Sequence, residues 1–292
     1  MKFKTIQLFT TIAFIAITSL VYTGCKKEDP KPKNANAAAD NSNAESAFAG
    51  IWKQISTVTD SSNALRSPAT GCASASITPF DLVTWPKTVT INFGTTNCMG
   101  SDGNNRRGII TAVFTGPYLD SGSVITVTLS NYYHNDYYIQ GTQTITNKGN
   151  NAAGHLVFNV VVSGATVTHP TDGRSSSWNT NQDREFYAGY TTNFNIFDDV
   201  YLIRGSANGV SMEGESYSIV TNSDLQVNVG CHWIVKGNFT LTLASYPTYP
   251  IVFDYGTGVC DGNATAVLDG TTYNIYMLSL IHISEPTRLR RI

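Results

Sequence analysis

Charge is scarce in this chain. Lys, Arg, Asp and Glu make up only 14% of 292 residues, and the formal net charge is −2. A nucleic-acid binder would carry a basic footprint, and a coiled coil would be rich in Glu and Lys, so both classes are excluded. Catalytic signatures are missing too. There is no H-E-x-x-H, P-loop or dinucleotide fingerprint, and Gly209–Gly214 reads GVSMEG, one residue short of a G-x-S-x-G elbow. Histidines number five and are scattered. Aromatic residues are not lacking. They reach 11%, with 15 Tyr and 13 Phe, which excludes wholesale disorder.

The N-terminus reads as an address. Lys2 and Lys4 precede an uncharged, mostly apolar run from Ile6 to Val21, and Thr23 and Gly24 precede Cys25. This is the pattern of a secretory signal peptide over residues 1–24. The Gly24-Cys25 junction resembles a bacterial lipobox, with Tyr22 departing from the usual Leu. The resemblance implies that Cys25 is lipidated and tethers the protein to a membrane. Residues 25–45 follow as the lipidated Cys and a spacer without aromatic or β-branched residues, expected to be flexible. Lys27-Glu28-Asp29 resembles the export signal of Bacteroidetes-type surface lipoproteins. The expected location is the outer membrane, on the cell surface or the periplasmic face.

The other end reads differently. Residues 278–288, LSLIHISEPTR, resemble the translation of an adaptor used in sequencing-library preparation. Residues 278–292 are therefore set aside as an artefactual tail. Without leader and tail, 14 basic and 20 acidic side chains remain, a net charge of −6.

Five cysteines would be an odd set in an exported protein. Assigning Cys25 to lipid leaves Cys72, Cys98, Cys231 and Cys260, which allow three pairings. The favoured one is Cys72 with Cys98 and Cys231 with Cys260. Two strands flanking Ser245–Pro250 would place Cys231 and Cys260 opposite each other. Each loop is short enough that its bond stabilises the fold by roughly 3.5 kcal/mol. The spacings do not resemble zinc sites, and no metal or other cofactor is expected.

The body, residues 46–277, reads as a single β-rich domain with a leading helix over about 46–62. Phe48, Ile51, Trp52, Ile55 and Val58 form an apolar stripe of helical period. Beyond Trp85 the period becomes two. Val89, Ile91 and Phe93, then Ile125, Val127 and Leu129, then Phe239, Leu241 and Leu243 alternate with polar residues, and Ile251, Phe253 and Tyr255 follow. Leu156–Val162 is apolar on both faces and reads as central. Turn signals such as Ser121-Gly122, Asp172-Gly173 and Asp269-Gly270 separate the segments. The expectation is a mainly β fold, an antiparallel meander of about a dozen strands curled into a barrel-like or sandwich form.

Two internal echoes stand out. Phe93-Gly94-Thr95 precedes Cys98 as Tyr255-Gly256-Thr257 precedes Cys260. An apolar-x-Gly-small pattern recurs at Gly141, Gly205 and Gly237. A repeated glycine bulge or close strand crossing explains the second. The lipobox, the helix and the two Gly-Cys-Asp stretches resemble a group of uncharacterised β-rich Bacteroidetes lipoproteins. That resemblance carries no activity or functional residue with it.

Candidate chemistry is thin. Asp198-Asp199 and Glu213 with Glu215 read as surface carboxylates, and His134-Asn135-Asp136 as a hairpin turn. Asp102, Asn104, Asp261 and Asn263 lack the spacing of an EF-hand. Aromatic residues are the better candidates. Tyr132, Tyr133, Tyr137 and Tyr138 flank one turn, and Trp178 lies in a polar stretch, so these five form a candidate ligand platform. The functional expectation is a lipid-anchored cell-envelope protein without catalytic activity, a binding or surface-structural module with a glycan or protein ligand. The alternatives are a periplasm-facing carrier of a lipophilic ligand and, behind it, a glycan hydrolase.

Overall fold

The computed structural model describes residues 34–60, 72–81, 83–189, 197–231 and 233–276. The signal peptide, Cys25, Lys27-Glu28-Asp29, His232 and residues 278–292 lie outside the described residues.

One helix precedes a meander. Helix α1 spans Asn34–Asp60. The strands are β1 Ser74–Thr78, β2 Lys87–Asn92, β3 Cys98–Met99, β4 Asn105–Phe114, β5 Val124–His134, β6 Tyr137–Asn150 and β7 Leu156–Thr168. They continue as β8 Ser175–Ala188, β9 Val200–Val210, β10 Ser216–Asn228, β11 Ile234–Leu243, β12 Ile251–Thr257, β13 Asn263–Leu268 and β14 Thr271–Tyr276. All belong to one 14-stranded antiparallel sheet. Each strand pairs with its sequence neighbours, except that β2 pairs directly with β4 while β3 is a short partner of β4. Leu156–Val162 lies in β7, deep inside the sheet order, as its two apolar faces require. The sheet is open, because β1 and β14 end the order without pairing to each other.

The stripe Phe48, Ile51, Trp52, Ile55 and Val58 is buried throughout. The helix begins well before position 46, however, and residues 34–45 are not a spacer but two further packed turns or more. Small side chains explain this. Ala37 and Ala44 are fully buried, so this half of the helix lies close to the sheet without any large apolar residue, and Ala is the best helix former. Polar contacts complete the seam. Asp40 Oδ2 accepts the Met212 N–H at 2.7 Å, and Asn41 Oδ1 accepts the Trp178 indole N–H at 2.8 Å.

The sheet curves round α1. The helix meets β2, β7, β8 and β9, and the charge of Glu45 is felt by Arg184 on β8 and by Tyr255 on β12, four strands further on. Glycines permit the bends. Gly205 and Gly237 have φ of 154° and 102° and sit where strand register shifts. A Cβ there would stand 2.2 Å from the Asn181 carbonyl oxygen and 2.1 Å from that of Asp224. No other residue fits, so the recurring glycine pattern is a device of sheet curvature.

Both disulfides join the expected cysteines, Cys72 to Cys98 and Cys231 to Cys260, with Cα separations of 5.7 and 5.8 Å. The first echo is structural as well. Asn92 Oδ1 accepts the Gly94 N–H at 2.8 Å, and Asp254 Oδ1 accepts the Gly256 N–H at 2.7 Å, so the same side-chain turn leads into each bridge region.

Candidate functional site

Strand alternation decides which aromatics are available. Tyr132 and Trp178 point to the helix side and are each 2% exposed, so they leave the proposed platform. Tyr132 lies 6.1 Å from the Phe93 ring. Trp178 packs 5.7 Å from Phe48 while its indole is tied to Asn41. The polar neighbours of Trp178 had suggested exposure, but Ser177 and Asn179 occupy the opposite face of the strand.

Tyr133 and Tyr138 do lie on the outward face, directly opposite each other. Their rings stack at 4.7 Å, and the Arg107 guanidinium covers Tyr133 at 3.8 Å. The pair thus occupies its own ring faces, which leaves edges rather than faces for a ligand. Tyr137 packs edge-on against His169 at 5.3 Å. The turn between them is the expected hairpin, with Asn135 and Asp136 at φ of 47° and 68°. Of the other carboxylate candidates, Asp199 is 1% exposed and so not the surface group its sequence context suggested, and Glu213 and Glu215 are engaged separately. Glu213 accepts from Asn36, and Glu215 accepts the Ser245 N–H at 3.1 Å. Asp102 is held by Arg106. Among the described residues no group of three or more His, Cys, Asp or Glu is placed to hold a metal ion.

The densest functional geometry lies elsewhere, on the outward face of β6 to β10. Strand β8 presents Asn179, Asn181, Asp183, Glu185 and Tyr187 on that face, since its even-numbered residues point to the helix. Asn159, Asp183 and Arg204 stand in register across three strands. Asp183 accepts from Asn159 Nδ2 at 2.9 Å and pairs with Lys148 at 3.1 Å. Glu185 lies 2.6 Å from His155 Nδ1 and is bound by Arg204, which also reaches Asp224 at 3.2 Å. Tyr187 stands at the end of this row, 50% exposed, with its ring edge-on to His155 at 5.2 Å.

The electrostatics of this face favour the charged form of Glu185. Burial pushes the Glu185 carboxyl up, but hydrogen bonds from His155 and Asn151 and the Arg204 charge outweigh it and keep the group below its ordinary range. A glycosidase acid needs the opposite, a carboxyl kept protonated near neutral pH. What remains is a fixed lattice of amides, carboxylates and cations beside one exposed ring. In the sequence Asn179–Glu185 is polar at every position, so alternation does not separate the outward residues from the inward Thr180, Gln182 and Arg184. The partners His155, Arg204 and Lys148 come from other strands and carry no local signature.

No protein-family model, curated protein or solved structure matches this chain.

Proposed function

We propose that this protein is a lipid-anchored module of the cell envelope that acts by binding, and that its ligand is a glycan held on the outward face of β6 to β10. The observation that carries the reading is the exposed Tyr187 ring edge-on to His155, which holds Glu185 together with Arg204, while further along β8 Asp183 is held by Asn159 and Lys148. Sugars present C–H faces that pack on aromatic rings and hydroxyls that bridge amides, carboxylates and guanidinium groups. A site already braced by its own pairs loses little side-chain freedom on binding. Membrane attachment rests on the Gly24-Cys25 junction alone. Among the described residues no helix is long and apolar enough to cross a bilayer.

Two measurements test this. Binding of the purified chain to a glycan array, repeated with Tyr187→Ala, is expected to show selective binding that the substitution reduces at least tenfold. Absence of any glycan signal, or equal signal for the variant, refutes the glycan assignment. Protease shaving of intact cells reports the location separately. Loss of the β body with a periplasmic control intact means surface exposure, and full protection places the protein inside the envelope.

A further inference from the structure

The two disulfides differ in their surroundings. Cys231 and Cys260 lie outside the strands, and the acidic Asp261 follows Cys260 directly. Cys98 instead lies in β3, opposite Arg106 of β4, which stands opposite His134 of β5. All three take the inner face of the sheet, since Met99, Arg107 and Tyr133 alternate with them onto the outer one. Directly opposed residues on one face have Cβ atoms about 4.5–5.5 Å apart. The Cys98 sulfur and the Arg106 side chain are therefore neighbours in one row.

That row holds spare donors. The Arg106 side chain is 4% exposed. Asp102 takes Nη1 at 2.9 Å and Nη2 at 2.6 Å, but Nε is buried with no partner, as is His134 Nε2 in the same row. An unmade hydrogen bond is costly in such surroundings. A disulfide sulfur accepts weakly, whereas a thiolate accepts as a charged group and forms the stronger bond. Opening the bridge thus provides an acceptor that the closed bridge withholds, beside a cation that favours the thiolate. Access points the same way. Cys72 is exposed and Cys98 is 2% exposed, so an incoming thiolate meets Cys72 and the sulfur that leaves is Cys98. Exchange is faster when the leaving thiol has the lower pKa.

We propose that the Cys72–Cys98 bridge is a thiol-exchange site for a low-molecular-weight thiol, with Arg106 as the residue that holds the leaving Cys98. The small thiolate attacks the Cys72 sulfur and forms a new S–S bond to it. The Cys72–Cys98 bond breaks, and its electron pair passes to Cys98, which becomes a thiolate accepting from Arg106 Nε. A second small thiolate attacks the sulfur of the first and forms the small-molecule disulfide. Cys72 then leaves as a thiolate and takes a proton from water. Two small thiols are oxidised and one protein bridge is reduced. Opening releases the start of β1, an edge strand paired with β2 alone. The site is separate from the outward face of β6 to β10, and the two can fail independently.

The test incubates the full chain with graded reduced glutathione at neutral pH, followed by acid quench, alkylation and peptide mass spectrometry. Cys72–Cys98 is expected to open at least tenfold faster than Cys231–Cys260, with glutathione found on Cys72. Arg106→Met is expected to slow that opening at least tenfold and to leave Cys231–Cys260 unchanged. Arg106→Lys, which keeps the charge, is expected to restore part of the rate. Equal or slower opening of Cys72–Cys98, or glutathione on Cys98, overturns the proposal. So does a rate in Arg106→Met that is not slowed, or that Arg106→Lys fails to raise. Where Arg106→Met does not fold, the order of opening and the position of the mixed disulfide in the unaltered chain decide.

Discussion

Among the described residues two arginines are buried, and their surroundings differ. Arg106, 4% exposed, is gripped by both oxygens of Asp102 at 2.6 and 2.9 Å. Arg184, 9% exposed, has one amide acceptor and a carboxylate beyond hydrogen-bond reach. Burial pushes both guanidinium groups down. At Arg106 the Asp102 carboxylate outweighs it, whereas at Arg184 Glu45 does not. Asp102 reaches back four residues from the same turn, anchored between the Cys98 bridge and β4, so its geometry is local and tight. Glu45 approaches from a helix far away in sequence and must serve Gln182 as well. Both leave Nε buried without a partner, so the two differ in how closely the carboxylate is placed and not in being fully paired.

The largest break in that comparison comes from Asp102→Ala. It leaves Arg106 buried without its partner and is expected to cost about 3 kcal/mol in chemical denaturation. The pH dependence comes next. Burial, then the nearby Arg106 charge, depress the His134 pKa to about 4. The unfolded chain therefore binds a proton near pH 6.5 that the folded chain refuses. Stability from this group is present above pH 6.5 and falls as pH drops toward 4. Melting curves between pH 7 and 4 should show that loss, and His134→Phe should flatten it. Asp102, held below its usual range chiefly by Arg106, adds a further loss at lower pH as the unfolded carboxyl protonates. Arg184→Met sits on the other side of the comparison. Removing Arg184 leaves the part-buried Glu45 with Gln182 as its hydrogen-bond donor, so a loss smaller than that of Asp102→Ala is expected, about 1–2 kcal/mol. Smallest is Tyr217→Phe. Its hydroxyl has no partner, so its removal should shift stability by less than about 1 kcal/mol and not downward. A large loss in either of the last two would erase the distinction between the arginines.

Much of the fold was legible because period-two alternation is a local property. Val89 and Ile91, Ile125 and Val127, and Leu241 and Leu243 all face the helix as their spacing implied. The disulfide pairing followed from the turn at Ser245–Pro250, again a local inference. The start of α1 was not legible, since Ala37, Asp40 and Ala44 carry no apolar stripe and are buried by what the sheet brings to them. Trp178 was misread for a related reason. Its flanking polar residues describe the other face of the strand. The outward site stayed hidden because Glu185, His155 and Arg204 meet only after three strands have paired.

The meander has a consequence for the order in which the molecule takes shape. Sequence neighbours pair almost everywhere, so hairpin can add to hairpin with short loops to close. The helix is the exception. Asn41 waits for Trp178, 137 positions later, and Asp40 for Met212, 172 positions later. A helix that precedes the whole sheet in the chain is thus among the last elements to find its place. A growing sheet must keep a cradle open for a helix that was made before it.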